Sequence, residues 1–141
     1  MSEKQKLTGS CLCGAVKFSG EANDLDVAAC HCDMCRRWSA GPFMEITCEQ
    51  IRFEGKESIG RIRSSEWAER GFCKECGSNL FYHIVGTDDY QMSVGLLDDQ
   101  SKLRFSLQVF TDSKPSFYAF SNNTKMMTGA EVAAAYAPPP E

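Results

Sequence analysis

Histidine is nearly absent from this 141-residue sequence, with His31 and His83 the only two. A metal centre built on three imidazoles is therefore excluded, and so is a zinc finger that needs paired histidines beside its cysteines. Positive charge is also short: 15 lysines and arginines face 19 acidic residues, leaving a net charge of -4. Such a field repels phosphate backbones, so nucleic acid is not an expected partner. No segment approaches the run of about 20 apolar residues that crosses a bilayer, so no membrane partner is expected. The opening residues, Met1 to Leu7, hold no apolar run of the kind a secretory leader needs, and a cytoplasmic location is the expectation. Linkers, repeats and low-complexity blocks are missing too. The reading is one domain over residues 1–141, with a core at about 8–120, a short helix at 128–136 and a tail at 137–141.

Cysteine is what the chain does have, eight in all. Seven fall into tight groups: Cys11-Leu12-Cys13-Gly14, Cys30-His31-Cys32-Asp33-Met34-Cys35 and Cys73-Lys74-Glu75-Cys76-Gly77. A disulfide framework is the rival explanation, but in a reducing compartment close-set thiols more often hold metals or react. Cys11, Cys13, Cys73 and Cys76 together make a complete tetrahedral shell, which acts as folding energy and clasps the start of the domain to its middle. Four independent buried thiols are the bland alternative.

The triplet Cys30, Cys32 and Cys35 is expected on a single loop and leaves a fourth position for water or a substrate atom. That vacancy is the mark of a catalytic rather than a structural site. With three thiolates the centre is a weak Lewis acid, better suited to binding another sulfur than to polarising a carbonyl. His31, Asp33 or Cys48 could close the shell instead, which would turn the site into a non-catalytic module. A satisfied structural role is the favoured reading for His31 and His83, and a small buried hydrophobe for Cys48. Arg36 and Arg37 directly follow the triplet and are candidates to orient a carboxylate-bearing thiol, against the alternative of a solvated turn. Trp38 could line the pocket or simply belong to the core, and Arg61, Arg63 and Arg70 are further cations without assignable places.

Elsewhere the sequence alternates with a period of two, over 15–19, 43–47, 51–54, 58–63, 79–84, 90–94 and 104–110. Turn chemistry at Glu54-Gly55-Lys56 and at Gly86-Thr87-Asp88-Asp89 separates these runs. The fold class is mainly β, of antiparallel strands with little helix. Thr128, with Glu131 three positions on and alanines following, predicts the short C-terminal helix, which Pro138 to Pro140 would stop.

In order and spacing these cysteine motifs, with Arg36 and Gly77-Ser78 beside them, resemble the glutathione-dependent formaldehyde-activating enzyme family, whose domain also occurs in the centromere protein V group. The similarity runs from about Thr8 to Phe120. It implies a β-tent zinc-binding fold with two zinc ions, a structural one on Cys11, Cys13, Cys73 and Cys76 and a catalytic one on Cys30, Cys32 and Cys35. It also implies a carbon-sulfur lyase of the S-(hydroxymethyl)glutathione synthase type, whose partner is a small thiol such as glutathione. A zinc enzyme acting on another thiol or aldehyde adduct, and a non-catalytic zinc module of the same fold, are the alternatives.

Overall fold

The computed structural model describes residues 3–135. Its order is β1 (Gln5–Ser10), β2 (Lys17–Ala22), β3 (Asp26–Cys30), α1 (Asp33–Ser39), β4 (Phe43–Glu54), β5 (Ile59–Arg63), β6 (Ala68–Cys73), β7 (Asn79–Ile84), β8 (Tyr90–Ser93), β9 (Arg104–Val109), β10 (Lys125–Met127) and α2 (Gly129–Ala135), with short 3-10 turns between some of them. The strands hydrogen-bond in the order β10-β9-β3-β4-β8-β7-β6-β5, and the β1–β2 hairpin joins through β2 to β4. Most pairings are antiparallel, as expected; β3 with β9 and β9 with β10 run parallel, so the sheet is mixed.

The long strand β4 organises the fold. Its first half pairs with β3 and β8, and its second half with β2. Between them Gln50 adopts φ 54°, a kink that splits what the alternation reads as two strands and turns the chain from one sheet direction into the other. Successive β4 side chains point to opposite faces. Ile46 and Cys48 point into the main core with Leu7, Val16, Phe18, Phe81 and Met92. Phe43 points the other way, into a smaller cluster with Cys30, Cys35, Val109 and Met127.

Four strands, β1, β3, β6 and the three-residue β10, lie outside the alternating runs. In β1 only Leu7 and Gly9 of six residues are buried, and β3 is a small-residue strand between β4 and β9. The third, β6, breaks its own alternation with a buried arginine, Arg70. At the other end α2 forms as its sequence predicts. Thr128 N–H donates to the Glu131 carboxylate at 3.0 Å and Glu131 N–H donates to the Thr128 hydroxyl at 3.2 Å, a reciprocal capping box. The expected last helical residue, Tyr136, and the proline stop lie outside the described residues. No described helix is long and apolar enough to cross a membrane.

Candidate metal centres and active site

Two groups of sulfur atoms converge, each with all members within 4.8 Å of one another: Cys11, Cys13, Cys73 and Cys76 in one, Cys30, Cys32 and Cys35 in the other. In the first, Cys11 lies 3.7 Å from Cys13 and Cys13 lies 3.8 Å from Cys73, sulfur to sulfur. A tetrahedral ion with metal–sulfur bonds of about 2.3 Å requires edges of about 3.8 Å, whereas a disulfide requires about 2.05 Å. The donor set and its spacing therefore fit a metal ion, and not a bridge.

The four-sulfur group is built by two tight turns. Between β1 and β2, Gly14 at φ 81° lets the chain reverse, Gly14 N–H donates to Cys11 O at 3.1 Å, and Val16 N–H donates to the Cys11 sulfur at 3.3 Å. Between β6 and β7, Gly77 at φ 80° does the same, with its N–H on Cys73 O at 2.8 Å. Both values lie where only glycine is comfortable. Ser78 ties the turns together: its hydroxyl accepts from Leu12 N–H at 3.1 Å and stands 3.2 Å from the Cys76 sulfur. Hydrogen bonds from Ser78 pull the Cys76 thiol down to about 5, so this cysteine is ready to bind as a thiolate.

The three-sulfur group does not sit on a loop, as the spacing predicts, but across a strand end and a helix start. Cys30 ends β3, Cys32 is the N-cap of α1, and Cys35 lies in its first turn with its N–H donating to the Cys32 sulfur at 3.3 Å. Extended geometry at the strand end puts Cys30 and Cys32 on one side and His31 on the other. His31 is fully buried there. Its Nε2 lies 2.9 Å from Gln108 Oε1, which can only accept, so Nε2 carries the proton and Nδ1 accepts from the Tyr118 hydroxyl at 2.7 Å. Burial lowers its pKa and keeps it neutral. His31 is therefore a structural wedge.

The other possible fourth ligands are also placed elsewhere. Cys48 is fully buried in the main core, on the opposite face of β4, where desolvation pushes its thiol up to about 12. Asp33 forms an ion pair with Arg36. Among the described residues, no histidine nitrogen or carboxylate oxygen joins the three sulfurs at the same spacing.

Arg70 is the residue the sequence does not single out. It is 2% exposed, its guanidinium is sandwiched between Trp38 at 5.1 Å and Tyr82 at 5.0 Å, and both terminal nitrogens lie 3.6 Å from the Cys35 sulfur. Trp38 thus serves the site and the core together, since it also packs edge-on against Phe43 at 5.3 Å. Hydrogen bonds from Cys30 and Cys35, reinforced by the Cys35 N–H and the charge of Arg70, hold the Cys32 thiol far below its ordinary value. Arg36 is engaged by the His31 carbonyl, which accepts from its Nε at 2.9 Å, and by Asp33, while Arg37 is exposed on the same outer surface. His83, away from this site, lies between Glu69 and the Thr87 carbonyl.

Fold and site together define a β protein with two cysteine clusters able to hold metal ions, one of four sulfurs and one of three with no fourth ligand among the described residues. Residues 6–113 match the model of the glutathione-dependent formaldehyde-activating enzyme family, and the chain belongs to that family. It is 36% identical over 126 residues to an uncharacterized lyase of Schizosaccharomyces pombe, covering 88% of this chain and 92% of that protein. It is also similar to a Rhodobacter sphaeroides protein of known crystal structure, with a TM-score of 0.57 and 26% identity over 64% of this chain and 87% of the other.

Proposed function

We propose that the chain is a zinc-dependent carbon-sulfur lyase that reversibly joins glutathione, or a related thiol, to formaldehyde or a similar aldehyde as an S-hydroxymethyl adduct. The observation that carries this reading is the contrast between the clusters: four sulfurs in one, three in the other, with His31, Asp33 and Cys48 all held elsewhere. In this reading Cys11, Cys13, Cys73 and Cys76 hold a structural zinc, and Cys30, Cys32 and Cys35 hold a catalytic one. When bound there, zinc lowers the pKa of a thiol at its open position.

The residues of the chain do the rest. Trp38 and Tyr82 wall the three-sulfur group, Arg70 balances its negative charge, and α1 fixes the spacing of Cys32 and Cys35. Arg36 and Arg37 line an outer depression with Asp33, and the exposed Arg37 is the freer of the two to meet a carboxylate of the tripeptide. Thiols used this way must stay reduced, which suits the cytoplasm.

The test is metal content per chain together with a calorimetric glutathione titration. Wild type should carry one zinc for each cluster, and Cys35→Ser should lose one of them along with glutathione binding. Retention of both metals by Cys35→Ser would withdraw the catalytic assignment, and a wild type that binds no glutathione would remove the substrate. Exchange between formaldehyde and its glutathione adduct, followed by NMR, then measures turnover directly.

A further inference from the structure

The face of the sheet that carries Cys30 also carries an acid, Glu45. Pairing places Cys30 opposite Phe43 and Ala28 opposite Glu45, so Glu45 shares the Cys30 face of β3 and β4. The next strand brings Ser93 opposite Glu45, and beyond it Tyr82 and Arg70 lie opposite one another on β7 and β6. The groups able to carry charge around Glu45 are thus Arg70 from β6, Tyr82 from β7, Cys30 from β3 and the cysteines of α1. Phe43, Trp38, Tyr82 and Val109 supply apolar and aromatic surface toward the sulfurs, while uncharged polar Ser93, Thr47 and Gln91 lie beside Glu45 on β8 and β4.

A half-buried carboxylate kept for stability would be expected to pair with the nearest buried cation. Glu45 does not. Arg70 directs both terminal nitrogens at the Cys35 sulfur, and among the described residues Glu45 forms neither an ion pair nor a side-chain hydrogen bond. Arg70 Nε is itself buried without a partner, so the polar groups beside Glu45 are not all saturated by the protein. We propose that Glu45 is the proton relay of the site, taking the proton of the incoming thiol and handing it to the aldehyde oxygen. The inference rests on the thiol–aldehyde reading above.

The step balances without a further reactant. The Glu45 carboxylate accepts the S–H proton, and the sulfur lone pair forms the C–S bond. The C=O π pair moves onto oxygen, which takes the proton back from Glu45. In the lyase direction the carboxylate removes the hydroxyl proton and returns it to the departing sulfur. The environment suits a group that must both hold and release a proton. Burial raises the Glu45 carboxyl above the usual carboxylate range, and the Arg70 charge opposes that rise.

The experiment compares holoenzyme carrying Glu45→Gln and Glu45→Asp with wild type. For Glu45→Gln, metal content and glutathione affinity should be unchanged, while kcat falls about a hundredfold or more and the limb of the pH profile near neutrality disappears. Glu45→Asp should recover part of the rate. A carboxyl carbon resonance of glutamate-labelled protein, absent from Glu45→Gln, should titrate near neutrality and shift when glutathione is added. Wild-type turnover and pH profile in Glu45→Gln, or titration of that resonance in the ordinary carboxylate range, would overturn the relay. If wild type fails to turn over glutathione and formaldehyde, the substrate assignment fails instead, and the resonance is then read with 2-mercaptoethanol as the probe. A shift supports a relay for a different thiol, and no shift overturns it.

Discussion

The guanidinium of Arg70 and the sulfur of Cys35 form a buried fork, with both terminal nitrogens 3.6 Å from one sulfur atom that three-thiolate metal binding would leave rich in negative charge. Such a contact fixes the direction of the sulfur and stabilises its thiolate, and the two aromatic rings at 5.0 and 5.1 Å shield the planar fork from water.

Replacing Arg70 should therefore loosen the metal at the three-sulfur group without touching the other. In Arg70→Met, competition with a chromophoric chelator should show one metal released with affinity reduced about ten- to a hundredfold. Arg70→Lys should recover little, because a single ammonium cannot reproduce the fork. Full affinity in Arg70→Met would show that the contact is incidental.

The two arginines after the triplet should separate. Arg37→Ala should weaken glutathione binding about fivefold, close to 1 kcal/mol, and leave binding of an uncharged thiol unchanged, as befits an exposed charge. Arg36→Ala should act on the protein itself, because its side chain holds the His31 carbonyl and Asp33 across the start of α1. A lower Tm is its expected signature. Equal weakening of charged and uncharged thiols by Arg37→Ala would remove it from substrate binding.

Gly71 and Phe81 are cross-strand partners on β6 and β7, and the Phe81 ring lies over the glycine. A methyl group added at Gly71 would sit 2.3 Å from that ring, which is itself packed at 5.4 Å from Phe53 and 5.1 Å from Tyr90. Gly71→Ala should cost about 1–3 kcal/mol in denaturant unfolding, from overpacking rather than from backbone strain. Adding Phe81→Leu should recover part of the loss, so the pair should be strongly non-additive.

Glu69 gives the protein a pH dependence unrelated to the metals. Burial alone would raise its carboxyl, but the hydrogen bond from His83 at 2.7 Å and the charge of Arg61 outweigh this and lower it. The folded value lies below the unfolded one, near 4.3 for glutamate, so the stabilisation is complete above that value and is lost as the pH falls through the folded value. Glu69→Gln should be less stable than wild type at neutral pH by about 1–2 kcal/mol, with the two Tm curves converging in acid. Parallel curves down to the acid limit would show that the His83 contact carries no linkage.

How much of this was legible beforehand depends on whether the signal is local. β7 occupies the expected 79–84, β5 and β9 fall inside their expected runs, and the capping box forms as written, because alternation and capping are short-range effects. The thiols within each short motif were legible from local spacing, whereas the meeting of Cys11 and Cys13 with Cys73 and Cys76 was an expectation resting on the completeness of a four-sulfur shell and on the family resemblance. What failed depended on neighbours. Cys32 starts a helix because its sulfur accepts from Cys35 N–H, a role residue-type preferences do not assign to cysteine. Arg70 had no assignable place in the sequence, because its role depends on β6 running past the sulfurs. Glu45 lay within an expected strand, and its significance came only from which face the register turned it toward.

That strand carries a further consequence for how the protein could change over evolutionary time. Because β4 is a party wall, odd positions such as Phe43 and Glu45 front the three-sulfur side, while Ile46 and Cys48 front the hydrophobic interior. Novel selectivity can thus be explored along one side of a single backbone without renegotiating the packing on its reverse.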